Sequence, residues 1–143
     1  DPYYQKIKSI IDDLKIGRNI VFLHDILKEK DFPAPANSLI VRDLYFISHL
    51  VLFLSKDEGF GIPILEAGAA RTPIVLSDLE VFREIAGDNG NYLSAELDIN
   101  SAAEKLRNII SEKAEYLKLN TRVTRKYNWK FWWDRYLKKV FEK

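Results

Sequence analysis

Hydrophobic positions along the chain follow two rhythms. Tyr3, Ile7, Ile10, Ile11 and Leu14 recur at helical spacing behind Asp1-Pro2, an N-cap followed by proline at the first helical position, and Gly17 supplies the stop. A helix carrying that stripe is expected to lie on a sheet. Strand-length apolar runs come next: Asn19-Ile20-Val21-Phe22-Leu23, then Leu50-Val51-Leu52-Phe53-Leu54, then Pro73-Ile74-Val75-Leu76-Ser77. The last two lack alternation, which predicts strands buried on both faces of a parallel sheet. Asn91-Tyr92-Leu93 reads as a brief fourth strand after the Gly87-to-Gly90 turn.

Between these runs lie the helical segments. His24 to Asn37 is polar, contains Pro33 and Pro35, and reads as a loop with room for one short turn of helix. Ser38 is the expected cap of a helix reaching about His49 and presenting Leu39, Leu44, Tyr45 and Ile47. Pro63 opens a helix over 62–70, and a short one is expected from Leu79 to Ala86. Ser101-Ala102-Ala103-Glu104 reads as a capping box that turns Ala103, Leu106, Ile109 and Ile110 inward, with a further helix from about Ser111 to Arg125. Strands alternating with helices predict an α/β fold with a right-handed parallel sheet. Near the end, Trp129, Trp132, Trp133, Tyr136, Leu137, Val140 and Phe141 form one apolar helical stripe over about 128–142, with Asn128 as cap.

Candidate chemistry gathers at one turn, Glu58-Gly59-Phe60-Gly61, between the Leu50–Leu54 strand and the helix opened by Pro63. Glycines let the backbone adopt positive φ and approach a ligand. A helix N-terminus offers unpaired N–H groups and a positive dipole end, which suit phosphate. In open parallel sheets, ligands sit beyond the carboxyl ends of the strands, where this turn must lie. The helix after it is apolar on nearly every face, so burial of Glu66 is expected. A buried carboxylate needs a partner. Its side chain leans back toward the helix start, which makes a ligand hydroxyl the favoured partner. The alternative is an acid that merely complements the dipole.

Composition narrows the classes. With 47% hydrophobic and 30% charged residues in 143, a single globular domain is expected. The net charge of +1 offers no field for nucleic acid, so no nucleic-acid partner is expected. Absence of cysteine excludes a disulfide framework and thiolate metal sites, and is compatible with a cytoplasmic location. His24 and His49 lack ligand spacing, so neither metal nor cofactor is expected. Asp12-Asp13 reads as an exposed helix face, and the lysines at 138, 139 and 143 as an ordinary helix end. The chain contains no methionine, which implies a piece of something longer.

Glu58-Gly59-Phe60-Gly61-Ile62-Pro63-Ile64-Leu65-Glu66-Ala67, with Thr72-Pro73-Ile74-Val75, Phe82-Arg83-Glu84-Ile85 and Gly87-Asp88, resembles the E-x7-E region of retaining, GT-B-fold glycosyltransferases of family 4 (group 1). The resemblance runs from about Asn19 to Trp129. It implies a Rossmann-like three-layer parallel sheet with helices on both faces, the C-terminal half of a GT-B fold, truncated at its start. It also implies a nucleotide-diphosphate sugar as donor substrate. Glu58 would be the catalytic residue and hold sugar hydroxyls. The amides of Phe60, Gly61 and Ile62, beside Gly59, would bind the diphosphate, and Glu66 the ribose.

Two departures stand out. Arg71 occupies a C-cap position where the family usually has glycine. The family's upstream Arg and Lys have no match here, and Arg42 and Lys56 are candidates by proximity only. The partner implied is a missing N-terminal domain carrying the acceptor site, with any membrane contact made through the parent protein. The chain alone is therefore expected to be inactive. The tryptophan stripe covers either this domain's own sheet or that missing domain. The rival readings are another GT-B enzyme, such as an epimerase or phosphorylase, and a non-catalytic binding module.

Overall fold

The computed structural model describes residues 2–29, 34–94, 96–111, 116–128, 130, 133–134 and 138. The chain divides into two compact units, Asp1–Leu39 and Ile40–Lys143. Asp1, Pro33 and most of the expected C-terminal helix, including Trp129, Trp132, Tyr136, Leu137, Val140 and Phe141, lie outside the described residues.

The first unit opens with α1 (Pro2–Asp13), as the stripe and Gly17 predict. Coverage of that stripe departs from expectation. Ile11 is buried, whereas Tyr3, Ile10 and Leu14 are exposed. The expected strand at Asn19–Leu23 is not formed. Gly17–Asn19 make a 3-10 turn, Val21 is exposed, and α2 (Leu23–Glu29) follows at once. A strand needs a neighbour for its ladder, and the described residues of this unit contain none. Side-chain contacts join α1 to α2 instead. Tyr4 donates its hydroxyl to Asp25 at 2.5 Å, packs edge-on against Phe22 at 4.9 Å, and carries Lys8 over its ring at 4.6 Å. The Tyr4 hydroxyl holds the Asp25 carboxyl below its ordinary range.

The expected loop over 24–37 therefore contains α2 and the first turn of α3 (Ala34–Ile47). Pro35 sits where a missing N–H costs nothing, so α3 starts before Ser38. Of the side chains expected to face inward on α3, Tyr45 packs on the core, while Leu39, Leu44 and Ile47 are exposed.

The second unit holds a parallel three-stranded sheet among the described residues, in the order β1 (Val51–Phe53), β2 (Ile74–Ser77), β3 (Asn91–Leu93). Val51 pairs with Ile74, and Val75 with Asn91. Side chains alternate across the sheet. Ile74 and Leu76 face α4 (Ile62–Ala70), α5 (Glu80–Ala86) and α7 (Tyr116–Lys126) in a core with Ile64, Ala67, Phe82, Ile85, Leu119 and Val123. Val75 and Leu93 face α6 (Ile99–Ser111) through Ile109, with Ala102 and Leu106 beside them. Helices thus cover both faces, a Rossmann-like three-layer arrangement. β2 is buried as expected. β1 is not, because Leu52 shares the α6 face at the edge strand and stays 52% exposed.

Two helix boundaries correct the sequence reading. Asp98, not Ser101, caps α6: its carboxylate accepts from the N–H groups of Asn100 and Ser101 at 2.9 and 3.1 Å and from the Ser101 hydroxyl at 2.5 Å. Those bonds hold the Asp98 carboxyl below its usual range. The start moves three residues upstream; Ala102 faces the core where Ala103 was expected to, and Ile110 is exposed. At the end of α4, Arg71 adopts the left-handed conformation, φ 60 and ψ 31, which its C-cap position requires. No described helix is long and apolar enough to cross a membrane.

Helix α4 meets α7 at Gly68, where an added Cβ would lie 2.7 Å from Val123 Cγ2. Valine is stiff at χ1 and does not swing away. Gly68→Ala is expected to lower stability by about 1–2 kcal/mol in urea unfolding, although alanine is the better helix former, because overpacking outweighs propensity. Arg71→Gly is expected to raise stability by about 1 kcal/mol in the same assay, by relieving the left-handed backbone.

Candidate functional site

The corner between β1 and α4 is shaped by two glycines with different tasks. Gly61 stands at the head of α4 with φ 89, and a Cβ there would lie 2.9 Å from the ring of Phe82 and 3.1 Å from Ile64 Cδ1. Phe82 and Ile64 are fully buried, so neither gives way. Gly61 is thus required by both backbone conformation and space. Gly59 faces the open, with no atom within 4 Å of where its Cβ would be. Ile64 N–H donates to Gly61 O at 3.0 Å. Among the described residues, the N–H groups of Phe60, Gly61 and Ile62 have no protein acceptor. They form the positive end of α4. The Phe60 ring, expected to pack, is 46% exposed and meets Tyr127 edge-on at 6.2 Å.

The two carboxylates flank this corner. Glu58 is half-buried and accepts from the Ser55 hydroxyl at 3.0 Å, which ties it to the end of β1. Glu66 is not buried as expected. Ile64, Ala67 and Gly68 face the core, whereas Ile62, Glu66 and Ala69 are exposed, so α4 has an open face despite its apolar composition. Water therefore meets most of the charge's needs, and desolvation no longer demands a ligand. Glu66 does have a partner in the protein. Its Oε2 accepts from the Tyr45 hydroxyl at 2.9 Å. Partial burial, then the Glu66 carboxylate, push the Tyr45 phenol up to about 12, which keeps it a donor.

Tyr45 is held at its other end too. Its carbonyl accepts from the Thr72 hydroxyl at 2.5 Å, and Thr72, buried just beyond α4, also donates its N–H to Ala67 O at 2.9 Å. Sequence reasoning took Tyr45 as one more apolar contact. A half-buried tyrosine keeps a polar tip that must find an acceptor, and that was the available signal.

Beyond the carboxyl ends of all three strands lies a cleft of about 690 Å³, lined by Ser55 and Lys56 after β1, Ser77, Asp78 and Leu79 after β2, and Leu93, Ser94 and Glu96 after β3. Residues 58–62 and Glu66 do not line it, and Ser55 links the cleft to Glu58. Asp78 is taken up by Arg83, through Nε to Oδ1 at 2.5 Å and Nη2 to Oδ2 at 2.8 Å. That pairing holds the Asp78 carboxyl below its usual range. Arg83 also lies over the Tyr92 ring at 4.4 Å. Of the two cations named from proximity, Arg42 is paired with Asp43 at 2.6 Å, whereas Lys56 stands in the cleft wall.

The chain is similar to known proteins. The model of the family described as glycosyl transferases group 1 matches residues 1–126. The chain belongs to this family. Relatives of this group 1 glycosyl transferase include the O-antigen chain mannosyltransferase RfbU of Salmonella typhimurium, 29% identical over 107 residues, which is 75% of this chain and 27% of the relative. The serotype-specific mannosyltransferase WbdA of Escherichia coli is 39% identical over 67 residues, 46% of this chain and 8% of the relative. The phosphatidyl-myo-inositol mannosyltransferase of Mycolicibacterium smegmatis is 31% identical over 108 residues, 72% of this chain and 26% of the relative. The matched stretch is thus about a quarter or less of each of these relatives.

The glycines should differ in tolerance. Gly61→Ala is expected to cost roughly 2–4 kcal/mol in urea unfolding, from left-handed strain plus overpacking against Phe82. Gly59→Ala, in open space, is expected to stay within about 0.5 kcal/mol of the parent.

Proposed function

We propose that this chain is the donor-binding domain of a retaining glycosyltransferase that moves a sugar from a nucleoside diphosphate to an acceptor hydroxyl. The observation that carries the reading is the corner itself: three amides at the head of α4 without a protein acceptor among the described residues, beside the open Gly59 and flanked in sequence by Glu58 and Glu66. In this reading the amides of Phe60, Gly61 and Ile62 take the diphosphate oxygens without a side-chain charge. Glu58, held by Ser55, accepts from hydroxyls of the sugar. Glu66 accepts from the ribose diol through the oxygen that Tyr45 leaves open.

The chemistry asked of the domain is electrostatic. As the bond from the anomeric carbon to the phosphate oxygen breaks, negative charge grows on the departing diphosphate, and fixed amide dipoles stabilise it without reorganising. The acceptor oxygen bonds to the anomeric carbon and its proton passes to the departing diphosphate oxygen, with the anomeric configuration kept. Three of the relatives are named as mannosyltransferases, which makes nucleotide-activated mannose the first donor to test. Because the matched stretch is about a quarter or less of those relatives, the reading assigns the acceptor site to a further domain and no transfer to this chain alone.

Calorimetric titration of the 143-residue chain with GDP, UDP and ADP, and with GDP-mannose, is expected to show saturable binding of at least one nucleotide and no sugar transfer. Glu66→Ala is expected to weaken that nucleotide about tenfold, the size of a hydrogen bond to a charged group. Unchanged affinity in Glu66→Ala removes the ribose role, and absence of binding by every nucleotide removes the donor site.

A further inference from the structure

Glu66 projects from the exposed face of α4, where a long, flexible carboxylate has several rotamers open to it. A group meant to meet a diol in one geometry gains from being held beforehand. The neighbouring helix supplies such a hold. Tyr45 on α3 packs its ring against the core cluster and donates its hydroxyl to Glu66 Oε2 at 2.9 Å. Its backbone is fixed independently, by the Thr72 hydroxyl on its carbonyl. Thr72 is 4% exposed and bonded in turn to the end of α4, so the two ends of the Tyr45–Glu66 contact are referenced to the same helix terminus.

Resting on the donor-site reading above, we infer that Tyr45 is a positioning residue for nucleotide recognition: it fixes one oxygen of Glu66 so that the other, Oε1, is presented to the ribose hydroxyls. Tyr45 touches no substrate in this arrangement and acts through Glu66. One carboxylate serves both partners because its two oxygens offer about four lone-pair sites, and a single phenol uses only one. Among the described residues no other group bonds to Glu66. The phenol, pushed up to about 12, donates across the whole range in which nucleotides are handled, so the hold does not switch with pH.

Binding of GDP is compared with 2′,3′-dideoxy-GDP on the 143-residue chain, with UDP and 2′,3′-dideoxy-UDP in parallel, and the readout is the ratio of affinities within each pair. The parent chain is expected to favour the ribonucleotide about tenfold, and Tyr45→Phe to reduce that ratio roughly fivefold, since it removes the hydroxyl and keeps the ring. A merely structural loss weakens both members of a pair alike and leaves the ratio in place. In a Glu66→Gln background, Tyr45→Phe is expected to change the ratio by less than about twofold, because the two side chains act as one unit. A Tyr45→Phe ratio equal to that of the parent, with Glu66→Gln lowering it, overturns the role of Tyr45 and leaves the donor reading intact. A parent chain that binds neither ribonucleotide, or does not distinguish the two members of either pair, overturns both.

Discussion

Close contact between α4 and α7 at Gly68 is the constraint on which the corner depends. Val123 and Leu119 press on the glycine where any side chain would collide. Ile64 and Ala67, on the same side of α4, are fully buried with Ile74, Leu76 and Phe82. A nine-residue helix is too short to be stable by itself, so this packing decides both its existence and its rotation about its axis. Once rotation is set, everything functional about α4 follows. Its first amides start at the buried Gly61, and the face that carries Ile62, Glu66 and Ala69 is turned to solvent. Phe82 reinforces the same choice from α5, since it fills the space beside Gly61 and holds the entry to the helix.

The charges around the strand ends bear on how the proposed donor site would receive an anion. Asp78 stands on the cleft wall, where an unpaired carboxylate would repel phosphate. Arg83 grips it through both oxygens, and Tyr92 backs the guanidinium. Exposed pairs of this kind add little stability. Their effect here is on the local field: the acid is neutralised by a cation from the next helix, while Lys56 and Glu96 also stand in the cleft wall.

How much of this was legible in the sequence depended on whether the deciding neighbour was local. Pro63, Gly61 and the run from Ile74 to Ser77 placed α4 and β2 correctly, because turn chemistry and central burial act through adjacent residues. The left-handed cap at Arg71 followed from the glycine that the resembled family usually has there. Failures share a different cause. Leu52 has the composition of a buried strand, yet its exposure depends on where α6 stops covering the sheet, and nothing near Leu52 encodes that. Val21 sits in a strand-like run without a strand beside it in its own unit. Ser101 and Glu104 matched a capping box, but Asp98 caps the helix earlier, on the amides of Asn100 and Ser101, so Ser101 lies inside its first turn. The turn between β1 and α4 was readable from its glycines and Pro63; the exposure of Glu66 and its bond to Tyr45, twenty-one residues away, were not.

In the proposed donor-site reading, that exposure changes how recognition at Glu66 must operate. A buried carboxylate binds a diol strongly because an unmet acceptor in the core is costly. An exposed one is already hydrated, so exchange of water for ribose hydroxyls yields only a modest net gain. Affinity at such a site has to come from several modest contacts whose geometry is set in advance, since each group left to search for its place subtracts rotamer entropy from the total. The corner meets that requirement for its amides through Gly61 and the packed face of α4, and for Glu58 through Ser55. Glu66 lies on the one face that packing does not govern, and there order has to be supplied by a hydrogen bond rather than by contact with the core. A phenol anchored by its own ring to that core is a rigid way to supply it.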